Sequence, residues 1–329
     1  MSPQVVFAVA ISLGLSLAIQ PIAIRILNSR SLLDIPNERS SHVTATPRGG
    51  GVVVVGSIAV GMVFLAAGPS VAALGATIVL AASLGFVEDL RGVRVPVRLA
   101  AQIICALPVL IAATSGDVGV WLLWPVGALF IVGAINSVNF MDGINGITAG
   151  FGIASGLTLA AIFWSIDQPA LAGVALVVVA ASLGFLPYNA WHARVFLGDS
   201  GSYGIGAAIG GLCVLAWAFG AMPLAAVAPM AIYIADTAAV VMRRLHAREP
   251  IHQAHRTHVY QRLTDVGWGH PRVAAFVTLL ILWCGMLGLV AELHSNLTAG
   301  VAALLLATVG FYLVSPKLFG HRSPVMEGN

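Results

Sequence analysis

Long apolar runs broken by short polar segments dominate this chain. A helix needs ~20 mostly apolar residues to cross a bilayer. By that measure the pattern predicts eleven spans, at 4–24, 50–68, 71–88, 98–115, 119–136, 147–165, 169–187, 202–219, 223–241, 273–291 and 298–315. Gly/Pro/Ser turns such as Gly68-Pro69-Ser70 and the Met222-Pro223 step mark several reversals. Neither an internal repeat nor a separable soluble domain shows itself, so residues 1–329 are expected to form a single all-α, polytopic transmembrane domain.

Composition agrees. Hydrophobic residues make up 59% of the chain and charged residues 9%, far from a soluble domain. The three cysteines, Cys105, Cys213 and Cys284, lie inside apolar runs without a Cys-x-x-Cys pair, and read as packing residues. The first apolar run, Val5–Ala18, has no basic residues before it and meets its first cation at Arg25, which favours a retained span over a cleaved signal peptide.

Charge orients the spans. With the N-terminus outside and the C-terminus cytoplasmic, all 16 Lys and Arg residues fall on the inner segments 25–49, 89–98, 137–146, 188–201, 242–272 and 316–329. Cytoplasmic retention of basic loops requires that arrangement. The acids other than Asp117, Asp167 and Glu292 also sit in inner loops or at inner helix ends. A transporter would instead be expected to bury ionisable groups along a path through the membrane. Chemistry is therefore expected on the cytoplasmic face, in loops 25–49, 89–98, 137–146, 188–201 and 242–272.

Five inner clusters could carry it. Val195–Ser202 sets Asp199 among small residues at a helix start. Free N–H groups there favour anions, and Mg²⁺ commonly joins one or two carboxylates to phosphate oxygens. Asp199 or Ser200 could equally cap the helix. Gly198-Asp199-Ser200-Gly201 also occurs around serine-protease nucleophiles, which the membrane setting disfavours. Asn189 and His192 lie just upstream. The adjacent acids Glu88 and Asp89, followed by Arg91, Arg94 and Arg98, repel one another and oppose the dipole at a helix C-terminus, so they call for a cation or substrate proton.

Asn139, Asp142 and Asn145 repeat every third residue after Asn136, and their amides suit a nucleobase, ribose or sugar amide. Asp34–His42, followed by Thr46-Pro47-Arg48-Gly49-Gly50-Gly51, could hold a phosphate through Arg48 and the glycine run, or be a solvated basic loop. The last cluster runs from Asp236 through Arg243-Arg244 to His252, His255, Arg256, His258, Tyr260 and Gln261. Its histidines lack the partners of a tetrahedral zinc site. Arginine forks and imidazole donors around an anion fit better, though each histidine alone also reads as a solvated loop residue.

Five motifs in order, Arg48-Gly-Gly, Glu88-Asp89, Asn139-x-x-Asp142-Gly-x-x-Gly, Phe196-x-Gly-Asp199-x-Gly-Ser202 and Arg256-x-His258, resemble the polyprenyl-phosphate N-acetylhexosamine-1-phosphate transferases of the WecA/MraY type. The likeness runs from Asp34 to about Trp268. It implies Mg²⁺ on Asp199, with Asp89 a second candidate ligand and Mn²⁺ a substitute metal. It implies uracil stacked on Phe196, and Arg48, Asn139, Asp142, Asn145 and Asn189 on the substrates. Glu88 and Asp89 are expected at the lipid phosphate or its deprotonation, and His255, Arg256 and His258 at the sugar and diphosphate.

The implied reaction moves N-acetylhexosamine-1-phosphate from a UDP-N-acetylhexosamine to undecaprenyl phosphate and releases UMP, in a bacterial inner membrane. The residues suit a one-step displacement and a covalent intermediate on Asp89 alike. No nucleic-acid partner is expected, and a homodimer is compatible. Glu88 and Asn145 stand where relatives usually carry aspartate, and Tyr260 and Gln261 where relatives have further histidines. The His255-Arg256-x-His258-x-Tyr260-Gln261 pattern looks like the branch that starts O-antigen chains on N-acetylfucosamine or N-acetylquinovosamine.

Overall fold

The computed structural model describes residues 1–30, 32–35, 44–65, 68–115, 119–249 and 257–320. Helix α1 (Pro3–Ser29) leads into a two-residue antiparallel ladder between β1 (Leu33–Asp34) and β2 (Thr46–Pro47), with Asp34 opposite Thr46. Then come α2 (Gly51–Val63), α3 (Pro69–Arg91), α4 (Val95–Ala113), α5 (Val120–Met141), α6 (Ile147–Ser165), α7 (Pro169–Asn189) and α8 (Gly198–Ala218). Helix α9 (Pro223–Val227) passes through a 3-10 turn into α10 (Ala231–Ala247), and the short α11 (Val259–Asp265) precedes α12 (His270–Leu293) and α13 (Thr298–Phe319).

Ten helical stretches among the described residues are long and apolar enough to cross a bilayer, with α9 and α10 counted as one. The expected eleventh has a shorter helix than its run. The run 50–68 forms α2, which has 13 residues, roughly 20 Å of helix, against a hydrocarbon layer of about 30 Å. Pro69, at the first turn of α3, biases its predecessor towards extended backbone, and Gly68 adopts it (φ −86°, ψ 161°). Leu65, two residues past α2, still reaches the far end of the bundle, where it stands beside Gly173 at the start of α7 and Val5 at the start of α1.

Helix α8 is the axis of the bundle. Nearly all its residues are buried, with α3 and α5 as its main neighbours. Helices α1 and α13 turn most of their surface outward and expose side chains such as Ile22, Ile26, Leu306 and Leu318. Lipid is as apolar as leucine, so such faces bring helices together only weakly. On its inner face α1 is tied to α7 by Ser12 and Ser16, whose hydroxyls donate to the Val177 and Ala181 carbonyls at 3.2 and 2.7 Å.

One close approach sets the site. Gly85 of α3 lies so near the Asp199 carbonyl that a Cβ would collide with it. Residues four apart share a helix face, so Asp89 follows Gly85 towards the start of α8. Gly198 turns the chain into that helix at φ +76°, a conformation costly for other residues.

Candidate active site

No side chain of its own caps α8. Asp89 does so from α3: Oδ1 accepts the Asp199 N–H and Oδ2 the Ser200 N–H, each at 3.0 Å. A carboxylate in that position complements the positive end of the helix. Arg48 spans the two acids, with Nε 2.9 Å from Asp89 Oδ1 and Nη2 2.7 Å from Asp199 Oδ1. Its side chain is 39% exposed, against 10% for Asp89 and 17% for Asp199.

Backbone bonds deliver Arg48 to this place. The Phe196 N–H donates to Pro47 O at 2.7 Å, and the Gly49 and Gly50 N–H groups donate to Phe196 O at 3.2 and 2.9 Å. From α5, Asn139 Nδ2 donates to Asp199 Oδ1 at 2.9 Å and to Ser202 Oγ at 3.1 Å. Asp199 Oδ1 thus takes two donors, while Oδ2 takes none among the described residues.

Two cavities meet here. A polar cleft of about 350 Å³ is walled by Arg48, Asn139, Asp142, Asn145, Asn189, Phe196 and Asp199, joined by Asp34, Gln261 and His270. A groove of about 470 Å³ runs between α1, α2 and α3, lined by Ile26, Leu27, Leu33, Val52, Val53, Phe86 and Leu90. Asp34 and Arg48 belong to both cavities, and Asp89 to the groove alone.

Most of the residues singled out from the sequence meet at this junction. Asp142 ends α5 and accepts the Thr148 hydroxyl at 2.6 Å. Burial, opposed by that hydrogen bond and reinforced by the charge of Asp199, pushes its carboxyl up to about 7. Asn145 Nδ2 donates to Trp191 O at 3.4 Å. Asn189 accepts the Gly146 N–H at 2.6 Å and donates to Val195 O at 3.0 Å, so it also staples the two loops of the cleft.

Three placements differ from the expectation. Asp89, expected at the metal, holds both oxygens against backbone N–H groups and Arg48, outside the cleft wall. Glu88 lines neither cavity and pairs with Arg98 at 3.3 Å. His258, expected on the sugar diphosphate, is 3% exposed, and its Nδ1 lies 3.3 Å from Asp236 behind the wall. His255 and Arg256 lie outside the described residues. Sequence reasoning did not put Gln261, His270 and Asp34 among the site residues. All three are polar groups beside named motifs, and that proximity was the available signal.

A magnesium ion fits this donor set in one way. No group of three His, Cys, Asp or Glu side chains that could hold a metal exists among the described residues. Mg²⁺ takes one or two protein carboxylates and completes its shell with phosphate and water oxygens. Asp199 Oδ2, open to the cleft, supplies that kind of ligand, so the site suits a metal arriving with a diphosphate rather than a self-sufficient metal centre.

A buried helix start, a forked arginine and amides around an open carboxylate make an anion-handling site at one end of a membrane bundle. Residues 71–217 match glycosyl transferase family 4. The chain is 30% identical over 298 residues to the probable undecaprenyl-phosphate N-acetylglucosaminyl 1-phosphate transferase of Bacillus subtilis (strain 168), covering 84% of this chain and 82% of the relative. It is 28% identical over 315 residues to the decaprenyl-phosphate N-acetylglucosaminephosphotransferase of Mycobacterium tuberculosis (strain ATCC 25618 / H37Rv), covering 80% and 76%. It is 25% identical over 321 residues to the phospho-N-acetylmuramoyl-pentapeptide-transferase of Enterococcus faecalis (strain ATCC 700802 / V583), covering 85% and 99%. The chain belongs to the polyprenyl-phosphate N-acetylhexosamine-1-phosphate transferase family.

Proposed function

We propose that this chain transfers N-acetylhexosamine-1-phosphate from a UDP-N-acetylhexosamine to polyprenyl phosphate, in undecaprenyl form, at the cytoplasmic face of a bacterial inner membrane. The supporting observation is the junction of a polar cleft and an apolar groove at Arg48. The cleft has the amides and the half-buried Phe196 ring to take a nucleotide sugar. The groove has the apolar wall for a prenyl tail, with Arg48 at its polar end.

In the reaction, an oxygen of the lipid phosphate attacks the sugar-linked phosphorus, the bond to UMP breaks, and UMP leaves with the electron pair. The obstacle is repulsion between two anions. Arg48 holds the two acids through Nε and Nη2, and its Nη1 edge and positive charge draw both phosphates towards the junction. Asn139 fixes Asp199 through Oδ1, which leaves Oδ2 as the oxygen to hold Mg²⁺. When bound, Mg²⁺ supplies neutralisation of charge on the transferring and leaving groups.

Direct attack is favoured over a covalent intermediate on Asp89. That carboxylate would have to abandon two N–H bonds and an arginine before acting as nucleophile. A lipid phosphate already carries nucleophilic oxygens at neutral pH, so no general base is required. The donor is proposed to be a UDP-N-acetylhexosamine of the N-acetylfucosamine or N-acetylquinovosamine series, on the pattern of the last inner loop, and the product to begin an O-antigen or other envelope polysaccharide. A panel of UDP-sugars decides among donors.

The deciding experiment incubates the purified protein with UDP-sugar, Mg²⁺ and undecaprenyl phosphate. UMP release equal to lipid product is expected, and Asp199→Asn should lose nearly all of it while still inserting into membranes. Sugar movement across sealed vesicles without UMP would establish the alternative, a membrane transporter of nucleotide sugars or lipid-linked sugars.

A further inference from the structure

A second buried carboxylate organises the far wall of the cleft. Asp236 of α10 is 0% exposed. The Val259 N–H, the first of α11, donates to both its oxygens at 3.1 and 3.2 Å. The Tyr312 hydroxyl, reaching in from α13, donates to Oδ2 at 2.7 Å, and His258 Nδ1 lies 3.3 Å from Oδ1. Tyr312 is also 0% exposed. Two membrane helices and the entry to α11 therefore meet on one carboxyl group. An acid inside a membrane-spanning stretch is costly and usually tied to function.

The first turn of α11 carries this anchor to the cleft. Tyr260 donates its hydroxyl to Phe140 O at 3.1 Å and packs on Gly143, a residue of the cleft wall. Gln261 lines the cleft, and its Oε1 accepts the His258 N–H at 3.2 Å. A helix of seven residues has little stability of its own, so what grips its start decides where Gln261 stands.

We propose that Asp236 and Tyr312 are positioning residues that fix the start of α11, and through it Gln261 and the Tyr260–Gly143 contact, as the cleft wall facing the nucleotide-sugar donor. The effect on the donor rests on the transferase reading above, whereas the anchor itself does not. The informative variant is Tyr312→Phe, which removes one hydroxyl and keeps the ring. Asp236→Asn is the stronger companion.

Both are tested in the full-length protein in lipid nanodiscs, by amide hydrogen exchange and by steady-state kinetics with undecaprenyl phosphate and the UDP-sugar of the panel that the wild type uses. A lost hydrogen bond to a charged group corresponds to roughly ten-fold. Exchange at residues 259–261 should therefore accelerate by about that factor, and KM for the UDP-sugar should rise comparably. KM for the lipid phosphate should stay within about two-fold, because the groove lies on the other side of Arg48.

Unchanged exchange in Tyr312→Phe overturns the anchor. Faster exchange with both KM values unchanged, or raised equally, overturns the positioning role. Should the wild type consume no UDP-sugar at all, the transferase reading falls, and the exchange result alone still decides the anchor. If Asp236→Asn fails to insert, Tyr312→Phe decides.

Discussion

The starts of α8 and α11 are held by one device in two settings. Each takes its capping carboxylate from another helix: Asp89 of α3 for the first, Asp236 of α10 for the second. Around Asp89 stand a second acid, Asp199, and, among the described residues, one paired cation, Arg48, so two acids share one arginine and Asp199 faces the cleft. Around Asp236 stand a phenol, an imidazole and a backbone N–H, all sealed from solvent. On the proposed transferase reading, the first cap is left charged so that it can take a divalent cation with its phosphates. The second is closed and can only locate a helix. Asp89 takes two successive N–H groups and Asp236 one N–H on both oxygens, and on the proposed reading the two caps divide between chemistry and placement.

The sharpest way to break that division is Asp89→Ala against Asp236→Ala. Removing Asp89 frees two N–H groups and unbalances Arg48. With charged hydrogen bonds at about 1.5–3 kcal/mol each, turnover should fall roughly 10³-fold or more. Removing Asp236 strands buried donors at about 1–3 kcal/mol apiece, so its first symptom should be a lowered unfolding temperature. UMP release per mole of folded protein, set beside thermal unfolding in detergent, separates the two. Equal losses in both readouts for both variants would end the distinction.

A glycine backs each cap, and the two should not tolerate a methyl group equally. A Cβ at Gly85 meets the Asp199 backbone, which cannot yield without moving α8. A Cβ at Gly143 meets the Tyr260 hydroxyl and ring, which can swing aside at the loss of the bond to Phe140. Overpacking typically destabilises by about 1–3 kcal/mol. Gly85→Ala should lie at or above that range with turnover down tens-fold, and Gly143→Ala near its floor. The same assays read both.

Much of this was legible in the sequence because a membrane writes in a coarse code. Apolar runs gave the all-α bundle, and the motifs at Arg48, Asn139, Asp142 and Asp199 marked residues that do converge. The length of the second span was not legible, because hydropathy measures greasiness and does not show where a helix such as α2 stops. Direction was the other blind spot. The inner polar clusters and the family resemblance put Asp89 and His258 near the site but did not say that one faces a helix start and the other a buried acid. Tyr312 was invisible, since a lone aromatic in an apolar span looks like packing until the fold sets it against Asp236, 76 residues away.

Asp142 offers a test that depends on pH. Its folded-state carboxyl titrates near 7, well above the ordinary range, chiefly through burial. Between about pH 4 and 7 the folded protein keeps a proton that the unfolded chain has released. Stability from this group is therefore fully present at low pH and lost as pH rises through 7. The metal-free protein should unfold a few degrees lower at pH 8 than at pH 6, roughly 2–4 °C per kcal/mol. Asp142→Asn should flatten that slope, while Asp89→Asn should leave it in place.

The smallest expected effect belongs to Glu88, and it separates neighbours in sequence from neighbours in space. Consecutive residues on a helix point about 100° apart. Asp89 shares the face of Gly85 and meets α8, so Glu88 is turned towards α4, where Arg98 holds it at 3.3 Å. Both side chains are mostly buried, 17% exposed for Arg98 and 15% for Glu88, and the pair faces away from both cavities. Glu88→Gln retains an acceptor for Arg98 and should keep turnover within about three-fold of wild type. In double-mutant cycles Glu88 should couple to Arg98 and hardly at all to Asp199. A loss in Glu88→Gln as deep as in Asp89→Asn would mean that both acids act on the phosphates, and the division of labour drawn from the two helix starts would have to be redrawn on the α3 side.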